Sequence, residues 1–449
     1  MLNVIVDEIG ETMKAYIKTY GCQMNVNDSE YLVGQLKHFG YMMTTKISEA
    51  DLILLNTCCV RKNVEQKVYS LIGKIKKIKE KKPNIKLGVC GCLAQKEKKN
   101  IIKRMPTVDF VLGPSQINNV NELLEKMEKE DKKYIYCKHL PEFSLKKTPI
   151  KRTGKITALV QIMRGCNNFC SYCIVPYTRG PEQSREVDEI IEEIENLVKE
   201  GFVEIFLLGQ NVNSYGQDLK DPIYFSELLK IVAKIKGVKR IRFITSHPKD
   251  LSFDLIDTIK NEEKICNHIH LPIQSGSDKI LKLMNRKYDV RRYKEIYHRI
   301  RESIPDVSIT TDIMVGFPGE TDEDFNETMK FFKEMEFDNM YSFIYSNRKN
   351  AVSHLMPGQV SLLVKKERLW KLIDLQKNIA TKINKRLEGK SVEVLVEGNS
   401  SKNIDGQMIG RTGTNKSVIF LGKNDLTGHL VSVKVNNSDA WTLFGELNH

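Results

Sequence analysis

Ile156-Thr-Ala-Leu-Val-Gln-Ile-Met-Arg-Gly-Cys166-Asn-Asn-Phe-Cys170-Ser-Tyr-Cys173 runs from a short apolar strand straight into three closely spaced cysteines. Three thiolates at these spacings can hold three irons of a cubane. Structural zinc normally takes four ligands, and no fourth cysteine or histidine lies near; the flanking histidines are His139 and His247. A [4Fe–4S] cluster tolerates one iron without a protein ligand, which leaves a position open for a small molecule. A disulfide with a spare thiol is the alternative, and it does not explain a triplet in a reducing compartment.

The strand ahead of the triplet is the first of six. Runs at 156–162, 203–208, 241–245, 268–273, 308–315 and 339–345 alternate with helical patterns such as Val187–Lys199 and Asp322–Met335. Six βα units predict an open, partial (β/α)6 barrel, short of the eight that close one. The triplet then sits at the carboxyl mouth. Upstream, strand-like runs at 15–20, 51–56 and 85–89 lead into Cys22, Cys58 and Cys92, whose separations of 36 and 34 residues each suit one strand–crossover–helix unit. This predicts an N-terminal open parallel α/β domain, in which loops at one sheet edge bring distant cysteines together. Downstream of a long helical stretch at 362–387, five short strands at 392–397, 408–412, 417–421, 430–435 and 441–444 predict a small OB-like β-barrel. The expected division is an N-terminal domain at 14–139, a linker at 140–152, the barrel at 153–387 and the β-module at 388–449.

Lys and Arg number 70 against 57 Asp and Glu in the 449 residues, a formal charge of +13. Residues 1–150 carry +9 of it, residues 151–385 carry +4 and the remainder is neutral. Between Lys74 and Arg104 stand 12 basic residues and two acidic ones, Glu80 and Glu97. With Leu71, Ile72, Ile75 and Ile78 forming an apolar stripe, this is either a solvated helix face or a phosphate-binding patch. No apolar run approaches the roughly 18 residues that a membrane span needs. Asp7, Glu8 and Glu11 stand where an export signal would be basic, so a cytoplasmic location is expected. Ten cysteines are too sparse for a disulfide scaffold.

The Cys-x3-Cys-x2-Cys motif on a βα barrel resembles the radical S-adenosylmethionine (SAM) superfamily, in which SAM chelates the open iron through its amino and carboxylate groups and its reductive cleavage yields a 5′-deoxyadenosyl radical. Further motifs extend the likeness over nearly the whole chain. Thr19-Tyr-Gly-Cys22-Gln-Met-Asn25, Leu55-Asn-Thr-Cys58 and Gly91-Cys92-Leu-Ala-Gln95, with the triplet and the C-terminal module, look like the methylthiotransferases. Val175-Pro-Tyr-Thr-Arg-Gly180, Leu208-Gly-Gln-Asn-Val-Asn213, Thr245-Ser-His-Pro248, His270-Leu-Pro-Ile-Gln-Ser-Gly-Ser277 and Met284-Asn-Arg-Lys287 look most like the MiaB type of tRNA methylthiotransferase.

That resemblance implies two [4Fe–4S] clusters, one held by Cys166, Cys170 and Cys173 and an auxiliary one by Cys22, Cys58 and Cys92. It implies SAM as methyl donor and radical source, and an RNA-binding TRAM fold for the C-terminal module. The implied reaction adds methylthio to C2 of N6-isopentenyl adenosine at position 37, in the tRNA anticodon stem-loop. An external one-electron donor such as flavodoxin or ferredoxin is expected, as is a monomer. Motif alignment chooses Cys58 over Cys59 and Cys92 over Cys90, leaving the spares, with Cys137 and Cys266, as core thiols. Gln210, Asn211, Gln274, Ser275, Asp312 and Gly316, at strand ends, are the expected SAM-site residues.

Arg179, Arg185, Arg286 and Lys287 are candidates for SAM carboxylate or tRNA phosphate, and His247 and His270 for the pocket lining. Arg411 and Lys416 are candidate RNA contacts on the neutral C-terminal module. Tyr345-Ser-Asn-Arg-Lys-Asn-Ala351 departs from the Pro- and Gly-rich segment usual in relatives. Threonylcarbamoyl adenosine in tRNA is the alternative substrate, and a non-catalytic iron–sulfur RNA-binding protein the alternative class.

Overall fold

The structure, a computed structural model, describes residues 13–59, 62–140, 145, 148–400 and 406–448. Asp7, Glu8, Glu11 and the linker positions 141–144, 146 and 147 lie outside them. The chain forms two compact units, one running to Thr153 and including Val175–Pro181, the other made of Gly154–Ile174 and Glu182–His449.

The first unit is built on β1 (Lys14–Tyr20), β2 (Met42–Met43), β3 (Leu52–Thr57), β4 (Lys86–Gly91), β5 (Phe110–Leu112) and β6 (Tyr134–Tyr136). They form one parallel sheet in the order β2-β1-β3-β4-β5-β6. Every residue of β3 is buried, as a central strand covered on both faces requires. The strand order reverses between β1 and β3, the place where open α/β sheets bind ligands beyond their carboxyl ends. Helix Gln23–His38 follows β1, and helix Lys62–Lys79 follows β3 with Val68, Ile72 and Ile75 buried.

The end of the expected linker is firmly packed. Pro149 and Ile150 lie against Gly34, where a Cβ would come within 2.4 Å of the Pro149 carbonyl. Buried Glu30 takes an ion pair from Arg152 at 2.9 Å and accepts from the Thr153 backbone and hydroxyl.

In the second unit β7 (Thr157–Gln161) leads to a short hairpin of β8 (Met163–Arg164) and β9 (Gln183–Ser184), then β10 (Glu204–Leu208) and β11 (Arg240–Phe243). β12 (His268–His270), β13 (Ser308–Val315) and β14 (Asn339–Ile344) complete six barrel strands. They lie in two parallel sheets, β11-β10-β7 and β12-β13-β14, and Ile241 of β11 makes an isolated parallel bridge with Ile265, just ahead of β12. Outward residues such as Ile205, Ile241, Ile269 and Ile309 pack into one apolar core. Helix Asp322–Met335 shows why the pattern was legible: Thr321 and Asp324 form a capping box, while Phe325, Phe331, Phe332 and Met335 face inward.

β15 (Ser391–Asn399), β16 (Gln407–Thr412), β17 (Ser417–Leu421), β18 (Leu430–Ser438) and β19 (Thr442–Leu447) close the predicted small barrel in the order β15-β16-β17-β19-β18. Its β16–β17 turn docks at the amino-terminal ends of the large barrel's strands. There Arg240 donates to the Arg411 carbonyl and Arg242 to the Thr412 carbonyl, both at 2.6 Å, while Arg242 also pairs with buried Glu204.

Candidate active site

The triplet loop at 165–174 is held by backbone geometry before any ligand is considered. Gly165 at φ +79° turns the chain out of β8, and the Cys173 N–H closes a turn on the Cys170 carbonyl. The Met284–Lys287 segment clamps the loop from beside it: Ser171 N–H donates to the Met284 carbonyl and Asn285 Nδ2 to the Phe169 carbonyl. Buried Arg286 donates to Cys170 Sγ at 3.4 Å, and its other donors go to the Pro272 carbonyl and the Tyr288 and Tyr172 hydroxyls. Burial pushes the Cys166 thiol up to about 11, so iron, which binds thiolate, would release its proton.

Beyond β10 and β11 lies a group of buried polar atoms that find no hydrogen-bond partner among the described residues: Gln210 Nε2, both Asn213 side-chain atoms, Ser246 Oγ and His247 Nε2. Gln210 Oε1 accepts from the Gly165 N–H, which ties this group to the triplet loop. His247 Nδ1 accepts from Lys249 N–H, so Nε2 carries the proton, and burial holds the ring neutral with its value lowered to about 2. Orphaned buried polar groups cost free energy unless a ligand satisfies them. Amide and imidazole donors beside three thiols therefore fit a polar, carboxylate-bearing ligand such as SAM.

The other expected SAM-site residues are more committed. Asn211 stitches two loops together, donating to Asp250 Oδ2 and Ser214 Oγ and accepting from the His247 N–H. Gln274 sits at φ +72° in a one-residue bridge to Ile313, and Ser275 Oγ accepts from the Ser277 N–H. Gly316, at φ +71°, makes a turn against the Lys365 stem, where a Cβ would come within 2.2 Å. Asp312 is part-exposed on the inward face of β13, 3.4 Å from His270 Nε2. Behind it Thr310 Oγ1 lies 2.9 Å from both His270 Nδ1 and His268 Nε2, so His270 belongs to a barrel-interior network.

In the first unit the three cysteine-bearing loops leave neighbouring strands β1, β3 and β4. Cys22 caps helix Gln23–His38, Cys58 follows β3, and Cys92 opens helix Cys92–Glu97. Cys58 lies by the Gly21 turn, where a Cβ would come within 2.8 Å of its own Cβ. Cys59 hydrogen-bonds Cys92, which with the Arg179 guanidinium holds the Cys92 thiol below its ordinary value against the opposing effect of burial. Cys90 is fully buried and pushed up by that burial. Arg179 Nε donates to Cys92 Sγ at 3.3 Å, and its two other nitrogens reach Asp28 at 3.2 and 2.6 Å. No three His, Cys, Asp or Glu side chains among the described residues gather as ligands of a single ion. A cubane spreads its ligands over separate irons, so a wider set of thiols suits it.

Three family models match the chain: the radical SAM superfamily over residues 160–332, the uncharacterized protein family UPF0004 over 14–113 and the TRAM domain over 385–447. The tRNA-2-methylthio-N6-dimethylallyladenosine synthase of Clostridium tetani is 48% identical, covering 99% of this chain and all of its own. That of Thermoanaerobacter pseudethanolicus is 46% identical over 100% of this chain and 95% of its own. The chain belongs to this synthase family. As a radical SAM enzyme of that family it uses a [4Fe–4S] cluster and SAM. The radical SAM methyltransferase TsrM of Kitasatospora setae, solved with cobalamin and a [4Fe–4S] cluster, aligns at a TM-score of 0.57 and 12% identity over 77% of each chain, a likeness of fold.

For a member of this family the arginines carry an unexpected message. Arg179 and Arg286, expected at SAM carboxylate or RNA phosphate, are buried and turned to cysteine sulfurs. Arg185 is taken by Glu193 and the Gln161 carbonyl, and Lys287 is exposed. Lys416 bonds Asp338 and Asn384, so it fastens the TRAM module to the barrel; Arg411 is engaged by Glu397. Asn213, Ser246 and Asp28 were missed by sequence reasoning, although Asn213 and Ser246 lie within two quoted strand-end motifs.

Proposed function

We propose that this enzyme adds a methylthio group to C2 of N6-isopentenyl adenosine at position 37 of tRNA, with the anticodon stem-loop as its recognised partner. The observation that carries the reading is the full-length likeness, at 46–48% identity, to synthases named for that product. Cys166, Cys170 and Cys173 hold one [4Fe–4S] cluster, and Cys22, Cys58 and Cys92 the auxiliary one. When bound, the clusters and SAM supply one-electron cleavage of the sulfonium, a methyl group and a carrier for sulfur.

The chain's own residues do the holding. Gln210 Nε2 and His247 Nε2 offer donors to the SAM carboxylate, while the Met284–Arg286 clamp fixes the triplet loop. Neutral His247 donates without adding charge, and its ring packs edge-on to Tyr288. Gln274, Ser275, Asp312 and Gly316 shape the remaining mouth, and Asn211 braces it. The working divisions are 14–139, 140–152, 153–387 and 388–449. The protein acts as a cytoplasmic monomer fed by a flavodoxin- or ferredoxin-type donor; no described helix is long and apolar enough to cross a membrane.

Nucleoside analysis of tRNA from cells lacking the gene tests the substrate. The expected result is loss of 2-methylthio-N6-isopentenyl adenosine, accumulation of its unthiolated precursor and rescue by the gene. Loss of the 2-methylthio derivative of threonylcarbamoyl adenosine instead would overturn the assignment.

A further inference from the structure

Each cysteine trio has one sulfur that accepts a hydrogen bond from a buried guanidinium. Arg179 donates to Cys92 at 3.3 Å and Arg286 to Cys170 at 3.4 Å. The two settings differ in charge. Arg179 is neutralised by Asp28, which is itself buried and bonded at 3.2 and 2.6 Å. Around Arg286 the partners are neutral, namely two tyrosine hydroxyls and a carbonyl, and no carboxylate among the described residues forms a salt bridge with it. One trio thus faces a compensated ion pair and the other a lone buried positive charge.

We propose that Arg179 and Arg286 are positioning residues that set the reduction potential of the cluster beside each, by donating an N–H to one ligating sulfur from a buried site. The inference rests on the cysteine assignment above. A hydrogen bond to a thiolate withdraws electron density from the iron it binds, and a nearby positive charge stabilises the reduced cluster, which carries one more electron. Both effects raise the potential. Low local dielectric keeps the charge from being screened. The lone cation places Arg286 to ease electron entry at the SAM-binding cluster, while Asp28 cancels much of the charge effect at the auxiliary cluster and leaves chiefly the hydrogen bond.

The test uses the full chain, reconstituted anaerobically, with one cluster removed at a time. In Cys166→Ala/Cys170→Ala/Cys173→Ala, the auxiliary cluster is titrated alone with a chemical reductant and followed by electron paramagnetic resonance. Asp28→Asn leaves Arg179 uncompensated and is expected to raise the midpoint; Arg179→Gln in the same background is expected to lower it. The double Arg179→Gln/Asp28→Asn variant, which keeps the local charge balanced, is expected to fall between them. In the complementary Cys22→Ala/Cys58→Ala/Cys92→Ala background, Arg286→Gln is expected to lower the remaining midpoint by more than the double variant shifts the auxiliary one. Should Arg179→Gln fail to retain its cluster, Asp28→Asn still decides, since it adds no cavity, removes the negative charge and keeps one of the two oxygens that accept from Arg179. An unchanged midpoint in loaded Asp28→Asn and Arg286→Gln protein would overturn the proposal. Iron and sulfide content of the two background variants reads separately: if either triple substitution leaves both clusters in place, the cysteine assignment fails, whatever the midpoints do.

Discussion

Cys90 and Cys92 stand two residues apart at the end of β4 and occupy opposite environments, one sealed in the sheet and the other touched by Cys59 and Arg179. Cys92→Ala is therefore expected to cut bound iron and sulfide to about half after anaerobic reconstitution, while Cys90→Ala keeps both clusters. Cys58→Ala should behave like Cys92→Ala, and Cys59→Ala like Cys90→Ala; iron analysis of the four proteins checks the pattern. The choice within each pair was legible only through motif alignment: alternation along a strand says that Cys58 and Cys59 diverge without saying which one faces the ligand, and for Cys90 and Cys92, two residues apart, it makes no distinction at all. His268 shows a different kind of control. Burial, then the charges of His270 and Arg242, hold its value far below the ordinary histidine range. The unfolded chain thus takes up a proton that the folded chain refuses. Stability falls as pH drops below about 6.5, by up to roughly 1.4 kcal/mol per pH unit from this group alone. Urea midpoints at pH 7.5 and 5.5 should fall less steeply for His268→Asn than for the parent.

Helix Gln23–His38 packs a polar stripe, not an apolar one, over the cysteine edge of the sheet. Asn25 and Ser29 both bond Asn56, Ser29 also bonds Thr19, and Asp28 receives Arg179. At helical spacing such residues read as a solvent face, which is why Asp28 escaped sequence reasoning although the strands and the cysteines around it did not. The β16–β17 turn likewise hides its purpose: Lys416 looked like an RNA contact and proves to be only 13% exposed, bound to Asp338 and Asn384. Lys416→Met is expected to destabilise by roughly 1–3 kcal/mol, with faster amide exchange in β16 and β17, while tRNA binding to the folded protein is unchanged. The barrel strands and the TRAM strands were legible because their apolar alternation is local. The Arg240 and Arg242 contacts that dock the one on the other join residues 171 and 170 apart and leave no local signature.

For the whole molecule, charge is distributed by task. On helix Lys62–Lys79, Lys74, Lys76 and Lys77 are exposed while Lys79 pairs with Asp109, and Lys96 beyond it pairs with Glu65. The patch read from the sequence is thus thinner than its residue count, yet an exposed basic face is present. Replacing Lys74, Lys76 and Lys77 with alanine is expected to reduce the slope of log affinity for tRNA against log salt by roughly 2 to 3 without altering the product formed. Filter binding between about 50 and 200 mM salt checks it. Within the first compact unit, the segment that supplies Arg179 is encoded after more than twenty residues that belong to the other unit. During translation, then, that unit cannot be finished when Thr153 emerges from the ribosome. The nascent chain must hold the Asp28 carboxylate unpaired until residue 179 follows it out, so a chaperone, or a pause late enough to expose that stretch, has something definite to wait for.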